Sequence, residues 1–196
     1  MITSLDQLDL NATYSYADYL KWRFEERVEL IKGKIFKMSP APARRHQKIS
    51  GRFHAKLFNF LDNKTCQVYH APFDVRLTPR KSDSSNKIYT VVQPDICIIC
   101  DSSKLDEKGC IGAPDWVIEI LSPGNSQIEM KNKFEVYQEN GVMEYWIAEP
   151  TTETIFVYIL NDAGKYIGLH PFTTADVITS HVFPDFELSV ADIFKD

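Results

Sequence analysis

Two carboxylates stand where the chain can least tolerate unpartnered charge. Asp95 lies in VVQPDICII and Glu119 in PDWVIEILSP, each inside a short run so apolar that it reads as a buried strand. Desolvating a lone charge is costly, and two carboxylates on neighbouring strands also repel. A divalent cation removes both penalties, because carboxylate oxygens are natural ligands of Mg2+. The chemistry implied is attack on a phosphodiester, in which a cation polarises the phosphate and lowers the pKa of an attacking water. A lysine nearby offsets developing charge or orients that water. Lys133 is the candidate: Glu129, Lys133 and Tyr137 recur at i, i+4 and share one face of a predicted helix, which can look back across the end of the Glu119 strand. Each residue also has a plainer reading. Lys133 could be a solvent-exposed helix lysine, Glu119 a buried carboxylate held by an arginine or backbone group, and Asp95 a turn residue after Pro94.

The elements that must position these groups follow from pattern. Ser15 is a plausible N-cap for a helix over about Tyr16 to Glu26, with Tyr16, Tyr19, Leu20 and Phe24 as its apolar stripe. RVELIKGKIFKM reads as two short strands around Lys32-Gly33, and SPAPAR as a proline-rich turn. From about Arg45 the pattern is helical, with Ile49, Phe53, Leu57, Phe58 and Leu61 apolar, until Asn63-Lys64. CQVYHAPFDVRL reads as strand interrupted at Pro72, TPRKSDSSNK as an exposed loop, and TVVQPDICIIC as the first buried strand. DSSKLDEKGCIGAPD is a connection with one helical turn begun at Asp101, and WVIEILS is the second buried strand. SPGNS turns into a helix over about Gln127 to Asn140, ended by Gly141. MEYWIAEP and TIFVYIL are strands; KYIGLHPF and FPDFELSVADIF complete the chain.

At 196 residues the chain is expected to make one domain, 1–196, with ordinary content: 44% hydrophobic, 25% charged. No apolar run approaches the ~20 residues that span a bilayer. The acidic N-terminus lacks the pattern of a signal peptide, so a cytoplasmic protein is expected. Of Cys66, Cys97, Cys100 and Cys110, Cys97 and Cys100 have CxxC spacing, but strand alternation points them to opposite faces. With no second pair to complete a zinc set, all four read as small buried apolar side chains.

The net charge of −5 argues weakly against a nucleic-acid partner, but its distribution matters more. From Ile31 to Leu61 there is no Asp or Glu, and the stretch carries Lys32, Lys34, Lys37, Arg44, Arg45, Lys48, Arg52 and Lys56, plus His46 and His54. That block is either a solvated helix face or a phosphate-contacting surface. Glu29 reads as an exposed strand residue or a participant in the site. His46 could serve structurally at the helix start or contact phosphate.

Taken together, QPD…GAPDWVIEILSPGNS…K…Y…GVMEYWIAEP, with RVELIKGKIFKMSP, RRHQKISGRF and APFDVRL upstream, resembles the Uma-type restriction endonuclease family within the PD-(D/E)XK nuclease superfamily. The resemblance runs from about residue 14 to 196. It implies that Pro94-Asp95 is the PD of the superfamily, with Asp95 a metal ligand, and that Glu119 is the acidic residue of the second half-motif. Leu121 stands where the superfamily lysine is expected. Relatives show the same replacement, their lysine having moved to the following helix, which matches Lys133. Glu29 corresponds to an acidic position that approaches the metal. Gln93 and Tyr137 match supporting positions, and Glu129 stands where many relatives have Asp.

The reading is an α/β, restriction-endonuclease-like fold, a central mixed β-sheet flanked by helices. The expected activity is divalent-metal-dependent hydrolysis of DNA, with Asp95, Glu119, Lys133 and Glu29 catalytic. Asp95 and Glu119 would hold Mg2+, with Mn2+ able to substitute. Arg44, Arg45, His46, Lys48 and Arg52 are the expected DNA contacts, specificity falls to loops such as Thr78 to Asn86, and a homodimer is the expected assembly. The rivals are a nucleic-acid-binding module without catalysis, a homodimeric interaction protein on the same fold, and a glycosidase using Asp95 and Glu119. The last is disfavoured for want of a sugar-stacking aromatic platform.

Overall fold

The computed structural model describes residues 2–38, 43–78, 84–122 and 127–195, with backbone alone for 127–129. Residues 39–42 of the SPAPAR turn, the tip of the TPRKSDSSNK loop and most of SPGNS lie outside the described residues.

Ser15 and Asp18 form a reciprocal capping box, but the helix they start, α1 (Tyr16–Tyr19), is a single turn rather than a helix to Glu26. The backbone beyond it turns to the N-terminal segment instead, with Arg23 N–H donating to the Ile2 carbonyl. β1 (Val28–Ile31) and β2 (Lys34–Lys37) make the expected hairpin. Its turn residues Lys32 and Gly33 have φ of 52° and 77°, and a Cβ at Gly33 would sit 2.4 Å from Thr13 Cγ2, so the turn requires glycine twice over. α2 (Arg44–Leu61) buries Ile49, Phe53, Leu57 and Leu61 on one stripe; Phe58, expected among them, is exposed.

The run CQVYHAPFDVRL divides into β3 (Gln67–His70) and β4 (Val75–Leu77), which join different sheets. TVVQPDICIIC, expected as one strand, divides likewise into β5 (Thr90–Val92) and β6 (Ile96–Ile99). Pro94 lacks the N–H a ladder needs, and the chain crosses between sheets at Gln93-Pro94-Asp95. The connection after β6 holds the helical turn begun at Asp101, then a small hairpin, β7 (Leu105–Asp106) and β8 (Gly109–Ile111), that the sequence reading missed. β9 (Trp116–Ile120), α3 (Gln127–Asn140), β10 (Glu144–Glu149) and β11 (Thr154–Leu160) fall where expected. β12 (Tyr166–Gly168), β13 (Val177–Thr179), β14 (Glu187–Ser189) and α4 (Val190–Phe194) complete the chain.

Two six-stranded mixed sheets result, in the orders β2-β1-β5-β4-β8-β7 and β12-β11-β10-β9-β6-β3. The fold is α/β as expected, with its strands divided between these two sheets, stacked on each other, and a small β13–β14 pair. Alternation along β9 shows how. Trp116, Ile118 and Ile120 pack with α2 and α4, while Val117 joins Ile31, Val75, Val92 and the α3 residues Val136 and Tyr137. The second sheet is therefore covered by α2 and α4 on one face, and by the first sheet and α3 on the other. The outer face of the first sheet is closed by Leu8, Tyr16 and Trp22 packed on Val28, Leu30 and Val91. Burial on both faces explains why β6 and β9 read as unbroken apolar runs.

The cysteine reading is half corrected. Cys97 and Cys110 are free and buried, but Cys66 and Cys100 form a disulfide. The β3–β6 register, Gln67 opposite Ile99, extends to bring these two face to face. Their sequence separation of 34 gave no hint of that pairing.

Candidate active site

The site lies where the two sheets and α3 meet. The antiparallel register of β6 with β9, Ile96 opposite Ile118, extends to set Asp95 across from Glu119. Alternation along β1 sends Val28 and Leu30 outward and Glu29 inward with Ile31, toward α3. From α3, Lys133 and Tyr137 point at the same place. Lys133 Nζ lies 3.1 Å from Glu119 Oε1 and 3.1 Å from Glu29 Oε1. Tyr137 donates its hydroxyl to Glu119 Oε1 at 2.7 Å, and Gln93 N–H donates to Glu29 Oε1 at 2.7 Å. Lys133 is 7% exposed and Glu29 1%, so neither is the solvated surface residue of the plainer reading. Asp95 is held separately: Oδ2 accepts from Ile120 N–H at 2.8 Å and is hydrogen-bonded to His46 Nε2 at 3.2 Å.

The electrostatics set this cluster apart from an ordinary buried carboxylate. Burial pushes the Glu119 carboxyl up to about 7; the Lys133 ammonium offsets part of that, and the charges of Asp95 and Glu29 add to it. Burial by itself would push the His46 imidazole down, but its hydrogen bond and charge attraction to Asp95 outweigh that and hold it above its ordinary value. Glu144 makes the contrast. It is fully buried, yet its oxygens accept from Trp146 Nε1, Ser180 Oγ, His181 N and Val182 N, so it is structurally satisfied. Glu29 is not, because its Oε2 is buried with no hydrogen-bond partner among the described residues. An orphaned carboxylate oxygen at a cluster of like charges fits a cation. Among the described residues no three His, Cys, Asp or Glu side chains form a ready metal cage.

Beside this cluster Gln93, a supporting position of the sequence reading, meets Asp74, which that reading missed. Gln93 Nε2 donates to Asp74 Oδ1 at 2.8 Å, and Arg27 donates to Gln93 Oε1 at 2.8 Å. Tyr16 reaches Asp74 Oδ2 at 3.5 Å. Burial raises the Asp74 carboxyl, against hydrogen bonds that lower it. Asp74 carries the same signal as Asp95 and Glu119, a carboxylate next to an apolar strand (APFDVRL), and could have been found by it.

The basic block does not form one surface. Arg45 pairs with Glu153 at 2.5 Å, Arg52 donates to the carbonyls of Ile193 and Lys195, and Lys56 pairs with Asp192 at 2.8 Å. Lys32 pairs with Glu139, and His46 is buried against Asp95. Arg44 and Lys48 stay exposed on the first turns of α2.

Residues 16–191 match the model of the Uma2 family, described as putative restriction endonuclease. The uncharacterized protein slr1290 of Synechocystis sp. (strain ATCC 27184 / PCC 6803 / Kazusa) is 27% identical over 156 residues, covering 78% of this chain and 77% of that protein. A crystal structure described as a putative nuclease belonging to DUF820, from Anabaena variabilis ATCC 29413, superposes with a TM-score of 0.71 at 22% identity, covering 92% of this chain and 97% of that one. This likeness shows that the two share the fold. The match along most of the chain, with Asp95, Glu119 and Lys133 inside it, makes the protein a member of the Uma2 family of putative restriction endonucleases.

Proposed function

We propose that the protein is a Mg2+-dependent endonuclease that hydrolyses DNA phosphodiester bonds, Mn2+ being able to substitute. The observation that carries this reading is the buried constellation of Glu119, Glu29 and Lys133, with Asp95 opposite Glu119 across the β6–β9 pair. Glu29 and Glu119 share Lys133, and Asp95 has the His46 imidazole, so three carboxylates face one lysine and one histidine and negative charge is in excess, which favours a cation. Asp95 and Glu119 would hold the metal, with Glu29 beside it. The cation, when bound, supplies polarisation of the phosphate and a lowered pKa for water.

The chain's own groups prepare that site. Tyr137 and Lys133 fix Glu119 through Oε1, leaving Oε2 to turn toward a ligand. Ile120 N–H and His46 fix Asp95 through Oδ2, leaving Oδ1. Gln93 N–H fixes Glu29 and is itself anchored through its side chain to Asp74 and Arg27. Lys133 would orient the attacking water or stabilise charge on the phosphate as it becomes pentacovalent, the role of a preorganised donor in a dry site. A cation also relieves the repulsion from Asp95 and Glu29 that adds to the effect of burial on the Glu119 carboxyl.

The test is cleavage of supercoiled plasmid by the purified protein with and without Mg2+. Nicking that requires the metal and is lost in Glu119→Gln is expected. A wild-type protein that binds Mg2+ but cuts neither strand under any divalent ion would overturn the enzyme reading.

A further inference from the structure

α2 has two flanks, and they differ. On one, Arg45, Arg52 and Lys56 are occupied by Glu153, the α4 carbonyls and Asp192. The other, the outward face of α2, carries Arg44, Gln47, Lys48 and Gly51 and continues through Phe58 to His54, which meets His70 of edge strand β3; none of these is a carboxylate. The whole α2–β3 unit, residues 43–73, holds six Lys and Arg and one acid, Asp62, in a chain of net charge −5. Three observations on this flank point to a ligand.

Phe58 is 60% exposed and its ring stacks on His54, with centroids 6.0 Å apart and planes 26° apart. His54 in turn meets His70 of β3 edge-on at 4.8 Å. The rings form a ledge braced from below, not a loose side chain. Burial and the neighbouring His70 hold the His54 imidazole below its ordinary value, so it offers a neutral ring at neutral pH. Next, Gly51 stands in the middle of an eighteen-residue helix, where glycine is disfavoured relative to alanine because its backbone loses more freedom. Nothing lies within 4 Å of a Cβ built there, so no internal packing explains it, and a flat, open stretch of helix is what remains. Finally, the ledge adjoins the candidate site. His70 pairs with Ile96, and the next residue, Ala71, donates its N–H to the Asp95 carbonyl at 3.1 Å. From His46 to His54 the helix rises roughly 12 Å, or about three to four phosphates at the spacing of one stacked strand.

We propose that the outward face of α2 beside β3 is a track for single-stranded nucleic acid, in which the backbone runs along Arg44 and Lys48 and over Gly51 and an unpaired base stacks on the Phe58–His54 ledge. The partner class rests on the nuclease reading; the strand preference is new. A duplex presents phosphates and base edges, whereas an aromatic ledge engages base faces, which only unpaired bases expose. Stacking of this kind tolerates any base, so the track confers strand preference, not sequence preference.

The test uses the full chain in EDTA, so that nothing is cut, with a fluorescent oligothymidylate and a blunt duplex of equal length. The wild-type protein should bind the single strand more tightly. Phe58→Ala should weaken single-strand binding on the order of tenfold, from the ~1–3 kcal/mol of one stacked base, while Phe58→Trp preserves it. Gly51→Leu should also weaken it, with thermal stability unchanged or raised. Equal binding of both nucleic acids, or single-strand affinity indifferent to Phe58→Ala, overturns the proposal. So does a change from dimer to monomer in Phe58→Ala with nucleic-acid affinity unchanged, which makes the ledge a self-association face. Cleavage by the wild-type protein is assayed separately. Phe58-dependent binding without cleavage keeps the track and removes the nuclease reading; cleavage with Phe58-independent binding does the reverse.

Discussion

Lys133 and Glu119 are fourteen residues apart in sequence and 3.1 Å apart in space, joined by a lysine that reaches from α3 back to the strand preceding it. Leu121, two residues beyond Glu119, leaves that position of the strand without a cation, and Lys133 brings one from the helix. If Lys133 acts on charge that develops only in the transition state, Lys133→Met should lower turnover by about 100-fold or more, with metal and DNA affinity nearly intact. Lys133→Arg should rescue poorly, since a planar fork does not reproduce a compact ammonium. Single-turnover cleavage at saturating Mg2+ measures this; wild-type turnover in Lys133→Met would remove the residue from the chemistry.

Asp95→Ala and Glu119→Ala should each abolish Mg2+-dependent cleavage while the protein stays folded. Circular dichroism and a thermal melt report on folding, and a plasmid assay on activity. Glu29→Gln should be milder, because Glu29 stands beside the proposed ligand pair, held there by Gln93 N–H and Lys133. Either alanine variant cutting at the wild-type rate would clear that residue of a ligand role.

The free site should take up a proton near neutrality. The Glu119 carboxyl stands at about 7 in the folded protein against an ordinary 4.5. Between those values the native state holds a proton that the unfolded state has released, so without metal stability should fall as pH rises from about 4.5 to about 7. A cation requires the carboxylate, so Mg2+ affinity should rise with pH through the same range and binding should release a proton. Titration calorimetry in buffers of different ionisation enthalpy detects that proton at pH 6.5 to 7, where about half a proton or somewhat more should leave per metal bound. Glu119→Gln should flatten the stability profile and silence the proton release.

The basic residues of α2 should separate into two groups. Arg44→Glu with Lys48→Glu should weaken DNA binding and lower the salt slope by about 2, near 0.9 for each phosphate that is no longer neutralised. Arg52→Ala should instead lower stability by roughly 1–3 kcal/mol, since its guanidinium satisfies carbonyls at and beyond the α4 end. Binding isotherms at several salt concentrations, beside denaturant melts, separate the two effects. An unchanged slope in the double variant would assign Arg44 and Lys48 to an ordinary solvated face.

Thiol counting checks the disulfide. Denatured, unreduced protein should show two reactive thiols, from Cys97 and Cys110, and four after reduction. Native protein should react with neither, because burial pushes the Cys110 thiol up to about 12 and Cys97 upward as well. Closing a loop of this length is worth at most about 4 kcal/mol, so reduction should lower the stability by no more than that.

What the sequence by itself determined is local and chemical. Carboxylates inside apolar runs identified Asp95 and Glu119, because buried charge needs a partner whatever the fold. The helical spacing of Lys133 and Tyr137 set them on one face, and both meet Glu119. The apolar spacing of α2 held for Ile49, Phe53, Leu57 and Leu61, since a regular helix converts spacing directly into a buried stripe. Tertiary structure decided the rest. Period-two patterning cannot say which sheet a strand joins, so Pro94 divided one apparent strand between two sheets and placed Gln93 and Asp95 at the crossing. Partner choice across long separations carries no local signal. The disulfide of Cys66 with Cys100, the inward turn of Glu29, the hold of His46 on Asp95, and the use of Arg52 by α4 each depend on which elements pack together. Burial then determines how those charged groups behave, because desolvation and neighbouring charge act only once the chain has brought them together.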